Sequence, residues 1–578
     1  MGSSVRRIPA HVAFPLALAT LLVIGLLIRL PLLTIASSSY RWTDAYNFEE
    51  VENVRISTGM LHKHALNPHA FEYPSLFYYL SLGLETALER LGRGGWTRDL
   101  LGVRALSLAF GLGTILAASL LARRIAGDAA GIAAAAIVAC DGTLIDISGL
   151  AKPNATQVFF FTTAFILLAR LATDRRVATA CGAAALFAFA AASKWLGALG
   201  LAGLLIAPAL AVPAAGRDGV SKLMATLAEG ARRPVAAWRL ALPIVVFFAA
   251  LLGCMPYAIL SPREFGFGLA QTLTAQALHR RALPPWAPLG FLGRSIGPLA
   301  AVLAVIALLW ALARVRRWSG SAHDRGLVLV LAWAVGYGLL LSFAFVRLAS
   351  YVDLWVPFVA VLVACAWAGE EGLIRSSGLR WALAGALLVA GIASHGADAL
   401  ARSIAVARFD TRVASGSWLE RFAADSDAVV ADLGAYVPDR LRRVEWIDWG
   451  SPPRIVYDES VTWGSDPIWP EWNGGHRRLV FENVKWRPAL ELLATRPRWI
   501  LTLDEWRAIR SHPEIQSETP APDYDRSLAD GSTGYVLRAR FAAEPAPSPW
   551  RVVRARTDAR ADSALYRGPA ISIFERVR

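Results

Sequence analysis

Residues 40–79 read YRWTDAYNFEEVENVRISTGMLHKHALNPHAFEYPSLFYY and hold Asp44, Glu49, Glu50, Glu52 and Glu72 together with His62, His64 and His69. They follow the first long apolar run directly, so this polar segment is predicted to lie at a membrane surface. A carboxylate there, with cations nearby, suits the transfer of a sugar held on a lipid phosphate. The anomeric carbon already carries its leaving group. What the protein must add is a base for the acceptor's proton and positive charge for the departing phosphate. Asp44 is the candidate base. Lys152 and Lys194, with Arg280, Arg281, Arg347 and Tyr351, are the candidates for the phosphate and its lipid. Glu50, Glu72, Tyr73 and Asn154 are the candidates for holding acceptor or sugar.

Each of these has a plainer reading. At least two of Glu49, Glu50 and Glu52 suit the solvated face of a short helix, and Tyr73 with Pro74 the entry to the next one. A single lysine at a helix end snorkels, and Arg29 near the end of the first apolar run is read the same way, with contact to a lipid phosphate as the alternative. Arg347 and Tyr351 suit an interfacial belt, and His279-Arg280-Arg281 a gating loop or a solvated tip. Lysine is scarce, however: only Lys63, Lys152, Lys194, Lys222 and Lys485 occur. Two of the five fall at helix ends on one predicted side, where an anionic lipid headgroup would explain them. No cofactor is expected; the loose spacing of His62, His64 and His69 leaves a divalent metal as the alternative.

The elements that must position these residues are membrane spans. The chain has 578 residues, 55% of them hydrophobic, and a mean hydropathy of +0.43. Apolar stretches recur near 12–33, 101–122, 129–148, 153–172, 177–193, 196–214, 239–260, 290–313, 326–346, 351–369 and 379–397, about eleven spans. Arg6 and Arg7 precede the first, which is about twice the length of a signal peptide's apolar core and reads as an uncleaved span. Residues 75–91 place Tyr78, Ser81, Glu85 and Glu89 on one helical stripe and leucines on the other, which predicts an interfacial helix within a first loop of 34–100. With that helix not crossing, the loops at 123–124, 170–176, 217–239, 314–325 and 370–380 hold 16 Lys and Arg against 7 in the opposite short loops. The positive-inside rule then puts the N-terminus in the cytoplasm and the C-terminal segment outside. The net charge of +14 is absorbed by this flanking pattern, and no nucleic-acid motif accompanies it. Cys140, Cys181, Cys254 and Cys365 each lie inside an apolar run and read as small buried hydrophobes.

Beyond residue 400 the pattern changes. AVVADL (428–433), RWILTL (498–503), GYVLRARF (534–541) and ISIFERV (571–577) predict strands, and ALELLAT (489–495) a helix, with a Trp- and Pro-rich loop over 446–475. The expected domains are therefore a membrane domain over 1–399 and a soluble, extracytoplasmic α/β domain over 400–578.

Several motifs together resemble a known family. An Asp shortly after the first span is followed by NPH-x-F-x-YPSLFYYL and by an Arg opening the next span. SGLAKPNATQVFFF, FAAASKWLGAL, PYAILSPREF and RLASYVDLWVPFVAVL follow in order. Over roughly residues 10–400 this is similar to the glycosyltransferase family 39 membrane enzymes, the protein O-mannosyltransferase and aminoarabinose transferase relatives. The resemblance implies a GT-C fold: a polytopic all-α membrane protein of about 11 transmembrane helices with a C-terminal α/β domain. It also implies a polyprenyl-phosphate-linked sugar donor, inversion at the anomeric carbon, Asp44 as base and an extracytoplasmic site. The acceptor would be a glycolipid, polymer or protein, at the inner membrane of a bacterium. Two positions depart from the pattern: Ala45 stands where the family often has Glu, and Asn154 where it often has an acidic residue. A transporter or lipid flippase, an oligosaccharide ligase, a phosphoethanolamine-type lipid modifier and an inactive scaffold are the competing readings. Charge gathered at one surface rather than at the bilayer midplane, and the absence of an internal repeat, favour surface chemistry.

Overall fold

The structure is a computed structural model. It describes residues 10–33, 48–71, 73–93, 96–210, 220–232, 237–278, 285–343, 349–398 and 411–432, then 435, 437–438, 441–447, 455–456, 480–481, 496–504, 521–542 and 570–577. The chain divides into two compact units. The first comprises Met1–Thr34, Glu52–Pro262 and Arg280–Leu400; the second comprises Ile35–Val51, Arg263–His279 and Ala401–Arg578.

The helices run α1 (Ala10–Leu33), α2 (Phe48–Lys63), α3 (Leu76–Arg90), α4 (Trp96–Ala126), α5 (Asp128–Cys140) and α6 (Gly142–Ser148). Next come α7 (Asn154–Asp174), α8 (Val177–Ser193), α9 (Leu201–Leu210), α10 (Val220–Arg232), α11 (Ala237–Cys254) and α12 (Tyr257–Leu260). The series closes with α13 (Pro262–Leu278), α14 (Ala287–Ile296), α15 (Pro298–Val315), α16 (Ala322–Phe343), α17 (Val356–Ala368) and α18 (Ser377–Gly391).

Composition sorts these helices by depth. Twelve consecutive residues of α5, DAAGIAAAAIVAC after its first position, are buried, and so is nearly all of α17. Helices apolar on every side sit centrally, and alanine lets neighbouring backbones approach closely. By contrast α1, α11 and α15 leave Leu16, Val23, Leu27, Val245, Phe248, Val302, Val305 and Leu309 exposed. Rows of exposed leucine and valine on long helices require a lipid solvent.

Among the described residues, six helical segments are long and apolar enough to cross a bilayer: Val12–Leu33, Arg98–Ala126, Asn154–Asp174, Pro298–Val315, Ala322–Phe343 and Ser377–Gly396. The pair α5 and α6, bent by 64°, makes a seventh if it is one span. The other four expected spans fall on apolar helices of 10–17 residues, at or below the shortest length that crosses a bilayer. The expected count of about eleven is therefore not reached by length among the described residues.

Three further differences have local causes. Residues 129–148 do not form one straight span, because the Asp141 carboxylate accepts the Leu144 N–H at 2.8 Å and starts a new helix. The expected loop 261–289 contains α13. Arg29 does not snorkel: it is fully buried and donates to the Ala139 and Val138 carbonyls at 2.6 and 3.2 Å, closing the C-terminal end of α5.

The charged loops 123–124, 170–176, 314–325 and 370–371 meet at one end of the first unit. Arg124 reaches Thr173, Arg325 donates to the Ala172 carbonyl, His323 bonds the Ile125 carbonyl, and Arg314 binds both Asp324 and Glu371.

In the second unit α19 (Thr411–Phe422) precedes β1 (Ala428–Asp432) and β2 (Arg442–Ile447), with β3 (Ile455–Val456) and β4 (Val480–Phe481) following. Then come β5 (Trp499–Leu503), α20 (Ala521–Ala529), β6 (Tyr535–Phe541) and β7 (Ile571–Arg576). The main sheet has the order β2-β1-β5-β7-β6, with β1 parallel to β2 and β5 and with β7 antiparallel to β5 and β6. Its core is Leu419, Val429, Ala431, Trp499, Leu501, Ile571 and Ile573. The four predicted strands are β1, β5, β6 and β7. Residues 489–495 and most of the Trp-rich loop lie outside the described residues.

Candidate active site

The end of the first unit away from those charged loops gathers four of the sequence's polar candidates, Lys152, Asn154, Lys194 and Tyr351. It is built from three connections: the turn between α6 and α7, the break after α8, and the 3-10 turn Ala349–Leu354 that leads into α17.

The first turn carries Lys152 and Asn154. Asn53, on the inward face of α2, donates to the Ala151 carbonyl at 2.9 Å, and Ser107 of α4 reaches the Lys152 carbonyl at 3.4 Å. The turn is thus fixed from two sides, and Pro153 starts α7 with its φ already helical. Asn154, at the first position of α7, is buried and donates its amide to Asp353 at 2.6 Å.

Lys194 ends α8 in extended backbone. Its carbonyl accepts the Gln157 side-chain amide at 3.0 Å, which ties the break to the first turn of α7. Its ammonium lies 5.2 Å from the centre of the Tyr351 ring, within cation–π range.

Tyr351 and Asp353 share the 3-10 turn, which α16 anchors. Tyr337 donates to the Tyr351 carbonyl at 3.0 Å, Trp333 to the Leu354 carbonyl at 3.4 Å, and Trp355 to the Ala334 carbonyl at 2.7 Å. Trp333 and Tyr337 stack with centroids 5.0 Å apart, and Gly338 makes room for Trp355, whose ring would stand 2.5 Å from any Cβ there. Burial raises Asp353 from the ordinary aspartate value, while Lys194, the Asn154 amide and the Leu354 N–H favour its carboxylate.

The structure therefore brings Asn154, Lys194 and Tyr351 together, with Lys152 two residues from Asn154 on the same turn. Glu50 is buried on α2, on the helical face that also carries Asn53 and Ser57, so it is not one of the solvated glutamates. Tyr73 is half-buried against Ile56, Met60 and Tyr78. Asp44, Glu72, Arg280, Arg281 and Arg347 lie outside the described residues. His62, His64 and His69 are exposed. The converging ligand group found among the described residues is instead His323, Asp324 and Glu371 at the opposite end, where Arg314 already binds both carboxylates.

In α3 the polar stripe splits. Tyr78, Ser81 and Glu85 face inward and Glu89 is exposed. Glu85 accepts the Ser57 hydroxyl at 2.7 Å, and its carboxyl is pushed up to about 8 by burial, with the Asp99 charge adding to the shift. Asp353, Tyr337 and Gln157 were missed from the sequence. Each is a single polar residue in an apolar run, a signal that buried function and lone structural hydrogen bonds share.

No family model matches the sequence, and no curated protein matches it. Among solved structures the chain is similar to the oligosaccharyltransferase of Archaeoglobus fulgidus, tethered with an acceptor peptide containing the NVT sequon, at 12% identity, over 98% of this chain and 88% of that one, with a TM-score of 0.53. It is also similar to ArnT from Cupriavidus metallidurans bound to undecaprenyl phosphate, at 14% identity, over 98% of each chain, with a TM-score of 0.51. These neighbours are GT-C glycosyltransferases, and at such identities the likeness is one of fold: the chain has the GT-C fold, mostly helical with a small sheet.

Proposed function

We propose that this protein is a membrane glycosyltransferase that moves a sugar from a polyprenyl-phosphate carrier to an acceptor on the extracytoplasmic face of a bacterial inner membrane. The observation that carries the reading is the convergence of Lys194, Asn154 and Tyr351 at one end of a GT-C bundle. The same end holds α2, whose chain leads back to Asp44, nine residues before Asn53. A neighbour of this fold bound to undecaprenyl phosphate supports a lipid-phosphate donor.

In this mechanism the acceptor hydroxyl or amine gives its proton to the Asp44 carboxylate as it attacks the anomeric carbon from the face opposite the phosphate. The bond from that carbon to the phosphate oxygen breaks with inversion, and its electron pair stays on the phosphate. Lys152 and Lys194, aided by Arg280, Arg281 and Arg347, meet the added negative charge as it develops. Tyr351 lies beside the lysine and the lipid. Glu50, Glu72, Tyr73 and Asn154 orient acceptor and sugar. The positive-inside count puts the segment 400–578 on the extracytoplasmic side.

Comparison of glycolipids and glycoproteins by mass spectrometry, with and without the gene, identifies the sugar and acceptor. With these in hand, Asp44→Asn in proteoliposomes should lower turnover at least a hundredfold at unchanged insertion. Turnover equal to wild type overturns the assignment of the base. Lys152→Ala and Lys194→Ala should raise the donor KM more than the acceptor KM.

A further inference from the structure

Asp353 is the charged member of this cluster that the functional reading leaves without a task. It is 2% exposed in the first unit, on a turn that three hydrogen bonds from or to α16 hold in place. One carboxylate oxygen accepts the Asn154 amide at 2.6 Å and the other the Leu354 N–H, also at 2.6 Å. Two residues earlier on the same turn, the Tyr351 ring supports the Lys194 ammonium. The carboxylate thus bonds Asn154 of α7, on a turn that Tyr337 of α16 holds and whose Tyr351 carries the Lys194 ammonium, the cation whose charge favours it. A buried carboxylate is costly unless it is paired, and hydrogen bonds fix this one more firmly than a surface acid would be fixed.

We propose that Asp353 is a positioning residue for the donor phosphate: its charge holds the Lys194 ammonium against Tyr351, and its hydrogen bond to Asn154 locks that lysine's address to the α6–α7 turn that carries Lys152. This rests on the functional reading above and adds to it the residue that orients its lysine. Lysine is a flexible point charge with four rotatable bonds. A phosphate site built on it gains by fixing it before the ligand arrives. The assignment also explains why an acid lies here with no solvent to serve it. Asp353 itself need not touch substrate; it acts through Lys194.

The test uses the full chain in nanodiscs with undecaprenyl monophosphate as the probe, and reads binding rather than turnover. Asp353→Asn keeps the shape and an acceptor for Asn154 but removes the charge, and should weaken binding about tenfold. Lys194→Gln should weaken it by a similar factor, and the double variant no further, because the two act as one unit. The exchange Asn154→Asp with Asp353→Asn keeps one negative charge and one hydrogen bond in the pair, and should bind within about threefold of wild type. Wild-type affinity in Asp353→Asn, tighter binding in it, or losses that multiply in the double variant would each overturn the proposal. If Asp353→Asn does not fold, the exchange variant decides: near-wild-type binding supports the role, and a tenfold loss overturns it. If wild type itself does not bind the lipid phosphate, the functional reading fails and takes this inference with it. If wild type binds but the coupling is absent, this inference alone fails.

Discussion

A carboxyl group buried between two helices reports its environment through its titration. Glu85 lies on the inward stripe of α3, bonded to Ser57 of α2, and its carboxyl is pushed up to about 8 from 4.5, chiefly by burial. Between those two values the folded protein keeps a proton that the unfolded chain has lost. Stability contributed here is therefore present below pH 4.5 and falls as the pH rises toward 8. Glu85→Gln keeps an acceptor for Ser57 and cannot ionise. The variant should lose this descending limb, so that its thermal midpoint in detergent exceeds that of wild type by a few degrees at pH 8 and converges with it near pH 5. A midpoint that falls below wild type at pH 8 would show that the ionised form is the stabilising one. Sequence periodicity had placed Glu85 and Glu89 on one stripe. It could not separate them, because the separation comes from Ser57, 28 residues away.

At the scale of elements, the central feature is the broken span of α5 and α6. A helix that stops inside lipid leaves carbonyls without partners, each costing several kcal/mol if left so. Arg29 supplies the partners from α1, spanning the Gly25, Val138 and Ala139 carbonyls, while Asp141 caps the helix that restarts. Ser295 of α14 donates to the same Asp141 at 2.6 Å. Removing the guanidinium with Arg29→Met should cost on the order of 3 kcal/mol. The loss should appear as a several-degree drop in thermal midpoint, with Arg29→Lys recovering only part, since an ammonium cannot span carbonyls set apart as a planar fork can. Full recovery by lysine would mean that charge alone suffices. The break was partly legible: Asp141-Gly142 inside an apolar run is a turn signal, yet the run's length outweighed it. Arg29 was not legible, because snorkelling and internal capping leave the same trace in sequence and only the approach of α5 decides between them. The helices themselves were legible because hydrophobic length is a local property. The Asn154–Asp353 bond, joining residues 199 apart, has no local sign at all.

For the whole molecule, the sorting of polar residues to opposite ends of the first unit makes sidedness testable. One end holds Arg124, Arg314, Arg325 and the loops they join. The other holds Asn53, Lys152, Asn154, Lys194 and Asp353. A bundle of lipid-facing helices admits two orientations, and the excess of Lys and Arg in the first set of loops favours keeping that end in the cytoplasm. Reporters must be exposed, which disqualifies Met60, buried on α2, and favours His64 at its end. In a background with Cys181 and Cys254, both partly accessible, replaced by Ala, single cysteines at His64, Arg317 and Ser426 sample the two ends and the second unit. A membrane-impermeant maleimide applied to intact spheroplasts should label His64→Cys and Ser426→Cys at once, and Arg317→Cys only after permeabilisation. Labelling of Arg317→Cys from outside would invert the bundle and place the lysine cluster in the cytoplasm. A donor presented on the extracytoplasmic leaflet would then have no access to it. Labelling of His64→Cys but not Ser426→Cys would instead require one more crossing between residues 64 and 426, and would move the second unit away from the side that holds the site.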